Sequence, residues 1–78
     1  MKLTLLSTIR PDMDATVQTI IFRGKQKQRL LDLGFLPGQT IHCMYMAPSG
    51  SPIAFLVKDS IIALRQSTCT QIEVQLHA

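Results

Sequence analysis

Apolar residues recur along this chain in short runs that change period, and the changes mark its elements. Leu3, Leu5 and Leu6 lie within Lys2 to Ser7, a segment that fits either a helical turn or a strand laid over one end of a core. Arg10-Pro11-Asp12-Met13-Asp14 is turn material, because proline disfavours helix at the residue before it and aspartates bond nearby backbone amides. From Ala15 to Phe22 the pattern is that of a strand. Ala15, Val17 and Thr19 share one parity and Ile20 and Phe22 the other, with Ile21 out of step, so a β-bulge or a strand end is expected near Ile20. Arg23-Gly24 ends that strand, and Lys25 to Leu33 is predicted as a short helix of good helix formers. At ~100° per residue, Gln26, Leu30 and Leu33 share a core face and Lys25, Arg29 and Asp32 a wet one.

The helix runs into Leu33-Gly34-Phe35-Leu36-Pro37-Gly38. Gly34 falls where a left-handed C-terminal cap belongs, and Pro37-Gly38 suits the central positions of a type II turn. This corner contains no nucleophile, acid–base pair or metal-ligand spacing, and it reads as scaffold. It aims the chain into Thr40 to Ala47, where Ile41, Cys43 and Tyr45 alternate with His42, Met44 and Met46, and Ile41 and Cys43 are the inward choice. Pro48-Ser49-Gly50-Ser51-Pro52 is a loop, Ile53 to Val57 a strand, Lys58-Asp59 a tight turn and Ser60 to Leu64 the returning strand. Arg65 to Thr70 suits a single 3₁₀ turn before a last strand, Gln71 to Leu76. The expected fold is mainly β: a small, partly open SH3-like barrel of about five strands with one short helix, a single domain over residues 1–78.

Composition narrows the picture. With 78 residues, 46% apolar and 17% charged, the chain has enough apolar side chains to order itself and the length of one domain. No uninterrupted apolar run exceeds the length of Ile53 to Val57, far below the ~20 residues of a membrane-spanning helix, and no signal-peptide cleavage pattern follows the first leucines, so a cytoplasmic protein is expected. Two cysteines without Cys-x-x-Cys spacing read as reduced, packed thiols. A net charge of +3 permits nucleic acid without indicating it.

Several separate stretches together resemble the FeoA family. They are Leu30-Leu31-Asp32-Leu33-Gly34-Phe35-Leu36-Pro37-Gly38, Ala47-Pro48-Ser49-Gly50-Ser51-Pro52-Ile53, Ala63-Leu64-Arg65 and Ile72-Glu73-Val74, in the family's order and spacing from about Gly24 to Val74. The resemblance implies a small cytosolic SH3-like domain that accompanies FeoB, a membrane ferrous-iron transporter with a GTP-binding domain. It implies an accessory without catalysis of its own, and no cofactor is expected. The chain departs from the family pattern at Asp12-Met13-Asp14 and at Asp59, where glycine is common; aspartate tolerates left-handed geometry.

Strand parity then singles out a surface. If Ile53, Phe55 and Val57 face the core, Ala54 and Leu56 face out, and Met44 and Met46 lie opposite to Ile41 and Cys43. With Ile61 across the hairpin, Met44, Met46, Leu56 and Ile61 are expected to meet the transporter or a second copy, unless the N-terminal leucines fold back over them. Arg23, Lys25, Lys27 and Arg29 place four cations in seven residues; Arg23, Lys25 and Arg29 form a candidate basic docking face for an acidic protein or the inner leaflet, against the reading of a solvated helix. Nucleic-acid binding is the competing class. Its only stacking candidates are Phe22, Phe35, Phe55 and Tyr45, and the phenylalanines read as buried. His42, Cys43, Cys69, Glu73 and His77 are the candidate iron ligands, but adjacent strand residues point to opposite faces and no spacing supports a site. Ser49-Gly50-Ser51 lacks the lysine of a phosphate-binding loop, and no enzyme is expected.

Overall fold

Two bulges and one tight corner turn a series of short strands into a curved sheet. The computed structural model of the chain describes residues 3–77, so Lys2, where the first expected element begins, lies outside the described residues. The elements are β1 (Leu3–Leu5), a 3₁₀ turn (Leu6–Thr8), β2 (Asp14–Ile20), α1 (Gly24–Asp32), β3 (Thr40–Met46), β4 (Ile53–Val57), β5 (Ser60–Leu64), α2 (Gln66–Cys69) and β6 (Ile72–His77). All pair antiparallel in the order β1-β6-β2-β3-β4-β5, which leaves β1 and β5 as edges. The fold is mainly β, with six strands where about five are expected. The sixth is β1: from Leu3 on, the first expected element is a strand on β6 followed by a 3₁₀ turn, Leu6–Thr8, that buries Leu6.

The inner face is assembled from cross-strand rows. Ala15 opposes Leu76, Val17 opposes Val74 and Ile20 opposes Ile72 on one half; Ile41 opposes Val57 and Cys43 opposes Phe55 on the other. Phe35 and Phe55, both fully buried, meet edge to face with centroids 6.1 Å apart and planes at 89°. Such a pair adds ~0.5–1.5 kcal/mol beyond the area it buries.

The corner after α1 closes by backbone bonds that satisfy otherwise orphaned helix carbonyls. The Gly34 amide donates to the Leu31 carbonyl and the Phe35 amide to the Leu30 carbonyl, each at 3.0 Å, which is a Schellman motif with buried Leu30 and Phe35 as its apolar contact. Gly34 takes φ +108°, and a Cβ there would lie 2.9 Å from Val57 Cγ1, so glycine serves both the cap and the approach of β4. Leu36 to Gln39 forms the next turn, with Gly38 at φ +90° and the Gln39 amide donating to the Leu36 carbonyl at 2.9 Å. The corner is pinned to β2 by Gly38 N–H to Val17 O at 2.7 Å and Val17 N–H to Gln39 O at 2.9 Å.

Two expectations are corrected and one is resolved. Leu33 and Gln26 do not face the core: α1 ends at Asp32, so Leu33 is the cap residue and 38% exposed, while Leu31 packs inward beside Leu30. β2 ends at Ile20, as one of the two expected readings has it, and its bulge falls at Gln18, between Val17–Val74 and Thr19–Glu73. Arg65 to Thr70 holds a single α-helical turn, α2, in place of a 3₁₀ turn.

Candidate interaction surface

A second bulge decides what β3 shows to solvent. Between Cys43–Phe55 and Tyr45–Ala54 the β3–β4 register shifts by one residue, so Met44 is the extra residue and the parity reverses after it. Met46 therefore opposes Ile53 and packs against the core, which removes it from the expected outer group, and Tyr45 takes the outward place. The outer rows of this half run His42–Leu56–Ile61 and Tyr45–Ala54–Ala63. Met44, Tyr45, Leu56 and Ile61 are exposed by 43%, 57%, 37% and 65%, so large apolar and aromatic side chains occupy a face that should be polar. The N-terminal leucines do not cover it, since β1 lies on the opposite edge of the sheet.

The predicted basic residues separate. Arg23 caps α1 in an extended conformation and is exposed, as is Lys27. Lys25 and Arg29, one helical turn apart, instead line a groove of about 650 Å³ between α1 and the β5–α2 connection. Phe22, Leu30, Leu33, Ala63 and Leu64 supply its apolar lining, and Arg65 its third cation. No acidic residue lines it, and among the described residues none of the three cations has a carboxylate within salt-bridge distance. Asp32 touches only the shallower depression beside Lys25 and Arg29, where it accepts a bond from Gln28 Nε2 at 2.8 Å. Sequence adjacency carried no hint of Arg65, which is 36 positions beyond Arg29 and reaches the groove only through the fold.

The candidate metal ligands do not converge. His42 Nδ1 is 2.5 Å from Asp14 Oδ1 and its Nε2 3.9 Å from Asp12 Oδ1, while His77 Nε2 contacts Thr16 Oγ1 at 2.7 Å. Cys43 and Cys69 are fully buried and free. Burial raises both thiols above their ordinary value of 9.0, with Asp12 adding to the effect at Cys43; Cys69 is pushed up to about 12, Cys43 beside it contributing. Neither is a ready thiolate ligand or nucleophile at neutral pH.

The model of the FeoA domain matches residues 4–76, nearly the whole chain. The chain belongs to the FeoA domain family. A curated relative of this FeoA domain is the "Fe(2+) transport protein A/Fe(2+) transporter FeoB fusion protein" of Porphyromonas gingivalis, 31% identical over 71 residues. The match spans 91% of this chain but only 8% of that protein's length. Among solved structures, a FeoA-like protein of Clostridium acetobutylicum is 26% identical with a TM-score of 0.89, covering 100% of this chain and 91% of that one. FeoA of Stenotrophomonas maltophilia, complexed with zinc and described as a prokaryotic SH3 domain protein, is 25% identical with a TM-score of 0.81, covering 92% and 89%. The fold of this FeoA domain is thus SH3-like. Among its described residues no group of three or more His, Cys, Asp or Glu side chains is placed to hold a metal ion, and no helix is long and apolar enough to cross a membrane.

Proposed function

We propose that this FeoA domain is a non-enzymatic, cytoplasmic accessory of ferrous-iron uptake that binds the cytosolic part of an FeoB-type transporter. The reading is carried by the relative in which a segment like this chain shares one polypeptide with FeoB, which raises the effective concentration of one for the other. The outer face of β3, β4 and β5 supports a docking role, because Met44, Tyr45, Leu56 and Ile61 form an apolar surface that a partner would cover. By binding one conformation of the transporter better than another, such a module shifts its equilibrium without chemistry of its own.

The test is ferrous-iron uptake under reducing conditions by cells lacking the chain, against the same cells given it back intact or as Leu56→Lys. The intact chain restores uptake and Leu56→Lys does not, while Leu56→Lys remains folded. Uptake unaffected by loss of the chain would refute the role. Restoration by Leu56→Lys would refute the surface and leave the role standing.

A further inference from the structure

We infer that the groove between α1 and β5 is a second binding site, which takes an extended acidic peptide segment by adding it as a strand to the free edge of β5. Two independent features meet there. The first is the edge itself: among the described residues β5 pairs only with β4, and the two-residue Lys58-Asp59 turn, with Lys58 at φ +55°, makes Val57 and Ser60 the closing pair of the hairpin. Bonding alternates along an antiparallel ladder, so the amides and carbonyls of Ile61 and Ala63 face the open edge. An unpaired row of this kind is a template for one more strand.

The second feature is charge. Lys25 and Arg29 on α1 and Arg65 at the end of β5 all line the groove that Ala63 and Leu64 border, with no acid among the lining residues. A basic or neutral strand gains nothing from these cations, and a fully apolar one would leave them uncompensated. A segment alternating acidic with apolar residues satisfies both features, since period-two alternation directs its carboxylates to one side and its apolar side chains to the other. Arginine at two of the three positions favours carboxylates, which its planar fork binds through paired N–H donors.

This site adjoins the apolar outer face, sharing Ala63 and the β5 edge at Ile61 with it, but Leu56, Met44 and Tyr45 do not line the groove. It also selects among the cations of α1: Lys27 carries the same charge on the same helix but lies outside the groove.

The experiment is fluorescence anisotropy of the intact chain with a short labelled peptide alternating valine and glutamate, at low and moderate salt. The expected dissociation constant is on the order of tens of micromolar, weaker as salt rises. Arg29→Glu and Arg65→Glu each weaken binding by about tenfold or more, whereas Lys27→Glu changes it by less than about twofold. Leu56→Lys leaves it unchanged, which separates failure here from failure of the proposed transporter contact. In amide NMR of the wild-type complex, Ile61 and Ala63 shift and become protected from exchange. Equal losses from Lys27→Glu and Arg29→Glu would reduce the groove to diffuse surface charge and overturn the inference. Equal binding of a valine–lysine peptide, or silent Ile61 and Ala63 amides, would overturn it as well. So would tighter, Arg29-dependent binding to phosphatidylserine vesicles or single-stranded RNA than to the acidic peptide.

Discussion

The β2–β6 ladder and the β3–β4–β5 strands share one core but treat solvent in opposite ways. On β2 and β6 the outward pairs are Asp14–His77, Thr16–Gln75 and Thr19–Glu73, all polar, as a sheet with one wet face requires. On β3, β4 and β5 the outward rows are His42–Leu56–Ile61 and Tyr45–Ala54–Ala63, with Met44 added by the bulge. Burial inside is equally complete in both halves, so the apolar outer rows are not a spill-over from a poor core. They are surplus to folding, and surplus apolar surface that persists on a small protein points to contact with something else. A ladder that is polar outside is finished by folding alone; the outer face of β3, β4 and β5 leaves apolar surface that the proposed partner would cover.

The largest expected effect tests the shared core. Phe55→Ala removes the ring that packs on Phe35 and faces Cys43 and Ile62 across the strands, and it should cost ~3–5 kcal/mol in urea unfolding, destabilising both halves together. Gly34→Ala comes next. It forces a side chain into φ +108° and against Val57 Cγ1, and a loss of ~1–3 kcal/mol is expected, with α1 loosening from β4. A loss below the error of the unfolding measurement would mean that the corner relaxes freely.

Smaller stability changes sharpen the contrast between the faces. Ile61→Lys and Gln75→Lys each place lysine on an outward strand position, and each should alter stability by no more than ~0.5–1 kcal/mol. Only Ile61→Lys should reduce capture of the chain by an FeoB cytosolic domain. Equal reduction by both would erase the distinction between the halves.

The smallest effect at neutral pH concerns the thiols, Cys43 in β3 and Cys69 just before β6. A thiol whose folded pKa lies above the ordinary 9.0 keeps its proton in the native state while the unfolded chain has already lost it. Stability from this source is therefore fully present below pH 9.0 and is lost as pH rises from there through about 12, mainly at Cys69. Unfolding midpoints should be level on this account up to about pH 8.5 and fall above it, and neither thiol should react with a bulky disulfide reagent at pH 8 before unfolding. In a Cys69→Ala variant that alkaline slope should become shallower.

Much of the fold was legible because local rules govern it. Glycine at positive φ, proline at a turn's first central position and period-two alternation act within a few residues, and they shape the α1 corner and the strands of the β4–β5 hairpin. Outward exposure at Leu56 and Ile61 follows from the same alternation. The outward place of Tyr45 does not, because the register shift at Met44 arises from how β3 must bend to follow β4, and one inserted residue reverses every side chain after it.

What the sequence determined by itself, then, is the menu of elements, the turns between them and the family to which their spacing belongs. The tertiary structure alone decided that Met46 goes inward and Tyr45 outward, that the first leucines pair with β6 and leave the apolar face bare, and that Arg65 joins Lys25 and Arg29 around one groove. The physical reason is range. Turn sterics are settled among neighbours in the chain, whereas strand register, sheet edges and the company a charge keeps are settled by residues distant in sequence that only the folded backbone brings together.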